Sequence, residues 1–186
     1  MRWLSMSLAN KYLSWLNSLH VLAAFLVEIT LAVYFEARLL NYSNELRNML
    51  QICEPYVYIT SDPKMFGAVM LGGVLLLSDA PFLTPLSQYE MLRIGKKKWV
   101  GSQICYIFLT SFLYFIILLF STAVVGSFGC GVYFIGGWSD TMEILSFTNP
   151  SAAATNFQLG FNAPEMLQAV SPVVAALEGI FFQSLY

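Results

Sequence analysis

Few side chains in this sequence could do chemistry, and the first is Glu28, set inside an apolar run at residues 19–35. A carboxyl near the middle of a bilayer costs about 2.5 kcal/mol or more unless it faces protein, holds a proton or finds a partner. Glu28 therefore reads either as an ion or substrate ligand or as a carboxyl buried against another helix. His20 lies eight residues earlier, about 12 Å along a helix, too far to act directly with Glu28 as an intramembrane enzyme would require. Neither a Gly-x-Ser-x-Gly nucleophile turn nor a Gly-x-x-x-x-Gly-Lys phosphate loop occurs, so no catalytic residue is assigned. Cys53, Cys105 and Cys130 are scattered and the single histidine stands apart from them; no metal site, disulfide framework or cofactor follows. Asn41-Tyr42-Ser43 is a formal glycosylation sequon, informative only for a eukaryotic source.

The elements that position these groups belong in lipid. Of 186 residues, 58% are hydrophobic, 16% aromatic and only 11% charged, with a mean hydropathy of +0.66. An ordinary soluble domain has roughly 45–50% apolar residues and about a quarter charged. A net charge of −2 lacks the cationic face that nucleic acid requires, so no nucleic-acid partner is expected. The expected fold class is all-α, a polytopic transmembrane helical protein with an amphipathic interfacial helix at its N-terminus.

That interfacial helix is expected at residues 1–17, where Trp3, Tyr12 and Trp15 suit the headgroup layer. The apolar pattern continues through Glu28 to Phe35, longer than a secretory h-region, so it reads as an uncleaved helix. Spans are expected at 19–35, 65–83 and 100–125, with a possible incomplete fourth at 170–186. Span 100–125 contains no charged residue, and Ala68 and Gly72 in the second span form a small-xxx-small pair that permits close helix approach. Residues 36–64 read as a solvated outer segment carrying mixed charge, a possible helical extension and two proline dipeptides, Glu54-Pro55 and Asp62-Pro63, that interrupt helices. Residues 126–165 form a second outer segment, glycine-rich and without Lys or Arg.

Between the second and third spans lies a cytoplasmic loop, 84–99, holding the densest charge in the chain. Arg93, Lys96, Lys97 and Lys98 are four of nine basic residues within six positions. Basic residues in short loops mark the cytoplasmic side, which places the N-terminus inside, in a multi-pass cell-membrane protein. Asp79 could cap a turn or pair with these lysines. The cluster itself is either a topology determinant held by anionic headgroups, at about 1 kcal/mol per cation, or a docking element for a cytosolic partner.

The run SDAPFLTPLSQYEMLRIGKKKWVGSQICYIFLTSFLYF resembles the region between the second and third helices of type-2 ABC exporter permease subunits of Gram-positive bacteria. In such permeases a short cytoplasmic element there contacts a nucleotide-binding subunit, and Arg93, Gly95, Lys96 and Trp99 match its pattern. The resemblance implies an ATPase-coupling loop made of Tyr89, Arg93, Gly95, Lys96, Lys97, Lys98 and Trp99. It also implies a separate cytosolic ABC ATPase and a second permease subunit as partners in the lipid bilayer, with any ATP hydrolysis in the partner. Such permeases have about six spans, so the expectation is a piece of a longer subunit. The alternative is a non-transport membrane accessory or scaffold protein.

Overall fold

A computed structural model describes residues 19–78, 89, 91–92, 95–134, 136–148 and 168–185. The interfacial helix expected at 1–17, Asp79 and Arg93 lie outside the described residues. The fold is mostly helical, as the apolar periodicity requires. Helix α1, Leu19–Leu46, is 28 residues long and does not stop at Phe35 but continues through the charged stretch to Leu46. It closes on Arg47, which has a φ of 55°. Asn48 N–H donates back to Ser43 O at 3.2 Å, satisfying a carbonyl the helix end would leave open, and Ser43 Oγ donates to Asn48 O at 2.7 Å. The Ser43 of the sequon is thus buried and engaged.

Strand β1, Leu50–Gln51, and strand β2, Val132–Tyr133, form a parallel pair in the register Leu50↔Val132 and Gln51↔Tyr133. Between them come α2, Glu54–Ser61, and α3, Pro63–Leu77. Asp62-Pro63 interrupts as expected, since one helix ends at Ser61 and the next begins at Pro63, and both prolines stand in a first turn, where the missing amide has no helical acceptor. Asp62 caps α3, its carboxylate accepting from Lys64 N at 2.7 Å and Met65 N at 3.4 Å. The solvated reading of this segment is corrected: Glu36, Glu54 and Tyr56 to Ile59 are all buried. Charge in a window of sequence reported composition, whereas the helix periodicity turns those particular carboxylates inward.

Helix α4, Lys96–Gly129, runs 34 residues, about 51 Å. It takes in three lysines assigned to the loop, because Gly95, at a φ of 88°, makes the turn and the helix begins directly after it. The chain continues through β2 into the short helix α5, Asp140–Glu143, and a π-helical turn over Ile144–Thr148. Helix α6, Pro172–Gln183, covers α2 with Ala175, Ala176 and Ile180, and Tyr56 Oη donates to Gln183 Oε1 at 2.9 Å.

Helices α1 and α4 run in the same direction. Phe25 stacks on Tyr114 with ring centroids 6.4 Å apart, Glu36 faces Gly126, and Leu40 faces Gly129, so contacts advance together along both. Helix α3 returns between them: Phe66 lies on Phe115, while Leu77 shares a cleft with Ile107 further back. The tightest crossing is at Gly72, where a β-carbon would stand 2.5 Å from Tyr114 Oη and 3.5 Å from Ala24 O. Tyr114 Oη donates to Val69 O at 2.7 Å. Half of the small pair Ala68/Gly72 is thereby spent on contacts within this chain. The described parts of 36–64 and 126–165 meet through β1 and β2 at the end of the bundle away from Lys96, Lys97 and Lys98.

Burial across this bundle is mixed: an apolar core that includes Leu39, Tyr106, Tyr114, Phe115 and Leu118 also takes in polar side chains, while many large hydrophobic residues lie outside. On α4 the buried face carries Ser102, Gln103, Thr110, Ser121 and Thr122, while Ile104, Ile116, Phe120, Val124 and Phe128 are exposed. Helix α1 buries Glu28, Glu36 and Ser43 and exposes Leu22, Leu26, Ile29 and Val33.

Candidate functional site

Three places hold the groups with chemical potential, and they differ in how well they are served. At the basic end, Gly95 supplies the turn and Lys96, Lys97 and Lys98 form the exposed first turn of α4. Tyr89 is also exposed, while the Trp99 indole Nε1 is buried without a hydrogen-bond acceptor among the described residues. Cations in a first helical turn face the positive end of the helix dipole, an unfavourable placement. Among the described residues, the three lysines have no partner that offsets this placement.

At the opposite end sits Glu54, fully buried at the junction of β1, α2 and α5. Its Oε2 accepts from Gln51 N at 2.8 Å, and its Oε1 accepts from Ser139 N, the residue whose own Oγ accepts from Met142 N at 3.4 Å to cap α5. Cys53 N donates to Gln51 Oε1 at 2.7 Å. One carboxyl thus joins the segment after α1 to the segment after α4, across 85 residues of sequence. Burial pushes the Glu54 carboxyl up from the usual range, the bonds from Ser139 and Gln51 pull it back, and nearby Glu143 adds to the rise. Tyr133 is pushed up to about 12 by burial and by the charges of Glu54, Asp140 and Glu143.

Between these ends, the inner face of α1 carries Glu28 and Glu36, two turns apart. Both are 0% exposed, and neither carboxyl oxygen of either residue has a hydrogen-bond partner among the described residues. Glu28 lies within electrostatic reach of Tyr114. Glu36 Oε1 is 3.0 Å from the position a β-carbon would take on Gly126, and Pro55 Cγ is 3.7 Å from the same point. The Cys130 thiol, pushed up chiefly by burial, feels both Glu36 and Glu54.

The expected intramembrane site at Glu28 is therefore inward-facing, and it has a companion that composition concealed. Glu36 is one of a series, 28, 32, 36, 40, all buried, and that four-residue spacing is a signal the sequence does carry. Glu54 and Ser139 had no such signal, since their pairing depends on the strand pair. His20 is exposed at the start of α1 and joins neither carboxyl. Cys53 and Cys130 are free thiols, and no group of three or more His, Cys, Asp and Glu among the described residues could hold a metal ion. Two helices, α1 and α4, are long and apolar enough to cross a membrane. No family description, curated protein or solved structure matches this chain.

Proposed function

We propose that the chain is a multi-pass, membrane-embedded permease subunit of an ABC-type export system, with ATP bound by a separate cytosolic subunit. The observation that carries the membrane part is the exposed apolar surface of the two long helices α1 and α4. Glu28, Glu36, Thr110 and Thr122 are buried, while Leu22, Leu26, Ile29, Ile104, Ile116, Phe120 and Phe128 face out. In water such a surface drives aggregation, and in lipid it is the expected arrangement. Only 28% of each apolar window is buried inside the molecule, unlike the core helix of a soluble domain.

The export class comes from the resemblance around residues 78–115, and the unsupported lysines at the start of α4 favour it. Three cations on the wrong end of a helix dipole suit an anionic headgroup layer or an acidic protein surface. In this reading the 89–99 element rests on the ATPase, and the ATPase's closure moves α3 and α4 as rigid bodies through differential contacts in its two states. The basic end is cytoplasmic and the Glu54 end is external.

Membrane insertion is tested by alkaline extraction of the membrane fraction, from which the protein is expected to stay in the pellet. Sidedness is tested in a cysteine-free background with an impermeant thiol reagent on intact cells: Gly137→Cys reacts and Lys97→Cys does not. Docking is tested by the combined replacement Arg93→Ala, Lys96→Ala and Lys97→Ala, which is expected to abolish co-purification of the ATPase. Retained association and transport would remove the coupling role and leave the accessory-protein reading in its place.

A further inference from the structure

The two carboxyls on the inner face of α1 have no structural task that explains them. A buried carboxylate is tolerated when donors surround it, as at Glu54, and an ionised one without donors is among the costliest groups a protein can bury. Glu28 and Glu36 are 0% exposed and receive no hydrogen bond among the described residues. Glu36 also stands where a glycine, Gly126, leaves space at its Oε1. An apolar side chain of similar size, such as leucine or methionine, would occupy that space against Pro55 and Val132 without the penalty of a buried charge.

Two further polar atoms are fully buried and without partners among the described residues, the side-chain amide nitrogen of Gln51 and the hydroxyl of Thr141. They sit on β1 and α5, the elements that bracket Glu54. The groups near Glu36 are Gly126 and the Cys130 thiol at the end of α4, Val132 on β2 and Pro55 at the start of α2. Glu54, Asp140 and Glu143 lie beyond, around Tyr133, and Arg38 points away to Tyr34. No cationic side chain among these answers Glu36. A metal cation is poorly matched, because an amide nitrogen cannot ligate it and no cluster of three ligating residues is present among the described residues. A proton fits: it neutralises an unpartnered carboxyl and lets that carboxyl become a donor.

We propose that Glu36 is a proton-exchange site. It holds a proton in this structure and exchanges it from the Glu54 end of the bundle, with Glu28 as a second, deeper proton-holding carboxyl on the same face. Loss of the proton leaves a bare carboxylate against Gly126, which favours separation of α1 from α4 at that level. The bundle then has a protonated closed state and a deprotonated loosened one. Nothing here rests on the permease assignment, so the ATPase co-purification result and the result below can fail independently.

The test is infrared spectroscopy of the full chain in lipid, read at the carbonyl stretch of protonated carboxylic acids. At neutral pH the intact protein is expected to show this absorption, and Glu36→Gln and Glu28→Gln each to lose a separate part of it. Glu36→Asp restores the band at a shifted position, which separates loss of the acid from misfolding. On raising the pH, the Glu36 component disappears and returns reversibly. Absence of any protonated-acid absorption assignable to Glu36 at neutral pH would overturn the proposal. So would a Glu36 band that never responds to alkaline pH, or one abolished by sodium at constant pH, which would make the ligand a metal cation.

Discussion

Glu54 and Glu36 are both fully buried and both at the end of the bundle away from the lysines, yet they are opposites in how they are held. Glu54 accepts two backbone N–H groups from segments remote in sequence. Glu36 accepts none among the described residues and faces a glycine. The first is a fastener whose removal leaves donors stranded, whereas the second can be replaced by a group of the same shape without breaking a hydrogen bond among the described residues. Burial alone does not separate structural from functional acids; the supply of donors does.

That contrast can be broken most directly by replacing each acid. Glu54→Ala strands the amides of Gln51 and Ser139, and at about 1–3 kcal/mol per buried unsatisfied group a loss of about 3 kcal/mol is expected in denaturant unfolding of the detergent-solubilised protein. Glu36→Gln is expected to change stability by less than about 1 kcal/mol, since no hydrogen bond is removed. Equal losses for the two would erase the distinction.

A smaller effect is expected from Gly126→Ala. Its methyl would stand 3.0 Å from Glu36 Oε1, and crowding of about 1–3 kcal/mol is partly offset by alanine's advantage of about 1 kcal/mol in a helix. The net loss of about 1 kcal/mol should vanish when Glu36→Ala is combined with it, a coupling that a double-mutant cycle reads directly.

The smallest effect is on pH dependence, measured with both Glu28→Gln and Glu36→Gln in place to isolate Glu54. Because burial raises the Glu54 carboxyl in the folded state, the folded protein holds that proton more tightly than the unfolded chain. Its contribution to stability is therefore fully present below the unfolded value and is lost as pH rises through the folded one. Thermal scans should show stability falling with rising pH over that window, and Glu54→Gln should flatten the slope. A slope of opposite sign would mean that the amides of Ser139 and Gln51 outweigh burial.

The long apolar stretch at 100–125 was legible because it is an uninterrupted run, and α4 contains all of it. The inward orientation of Glu28 was legible for the same reason, as an acid with nothing polar around it. Glu36 was hidden because the neighbouring Arg38, Glu45 and Arg47 made its window look solvated, although the helix keeps it on the face of Glu28. The lysines were recognisable as a cluster, but their place inside a helix depends on the backbone at Gly95. The Glu54–Ser139 link could not be read at all, since it arises from a strand pair of two residues on each side, too short to leave a pattern.

Under the proposed membrane function, the unequal lengths of the packed helices have a consequence for the surrounding lipid. The charge-free part of α4, 100–125, is about 39 Å long, whereas all of α3, Pro63–Leu77, measures about 22 Å. A hydrocarbon layer of about 30 Å is too thin for one and too thick for the other. In a bilayer, lipid would thicken along the α4 flank and thin along the α3 flank, giving the molecule the profile of a wedge. Neighbours that relieve the strain on each side would be drawn to it, so the same inequality that shapes the bundle would also bias which lipids and helices gather around it.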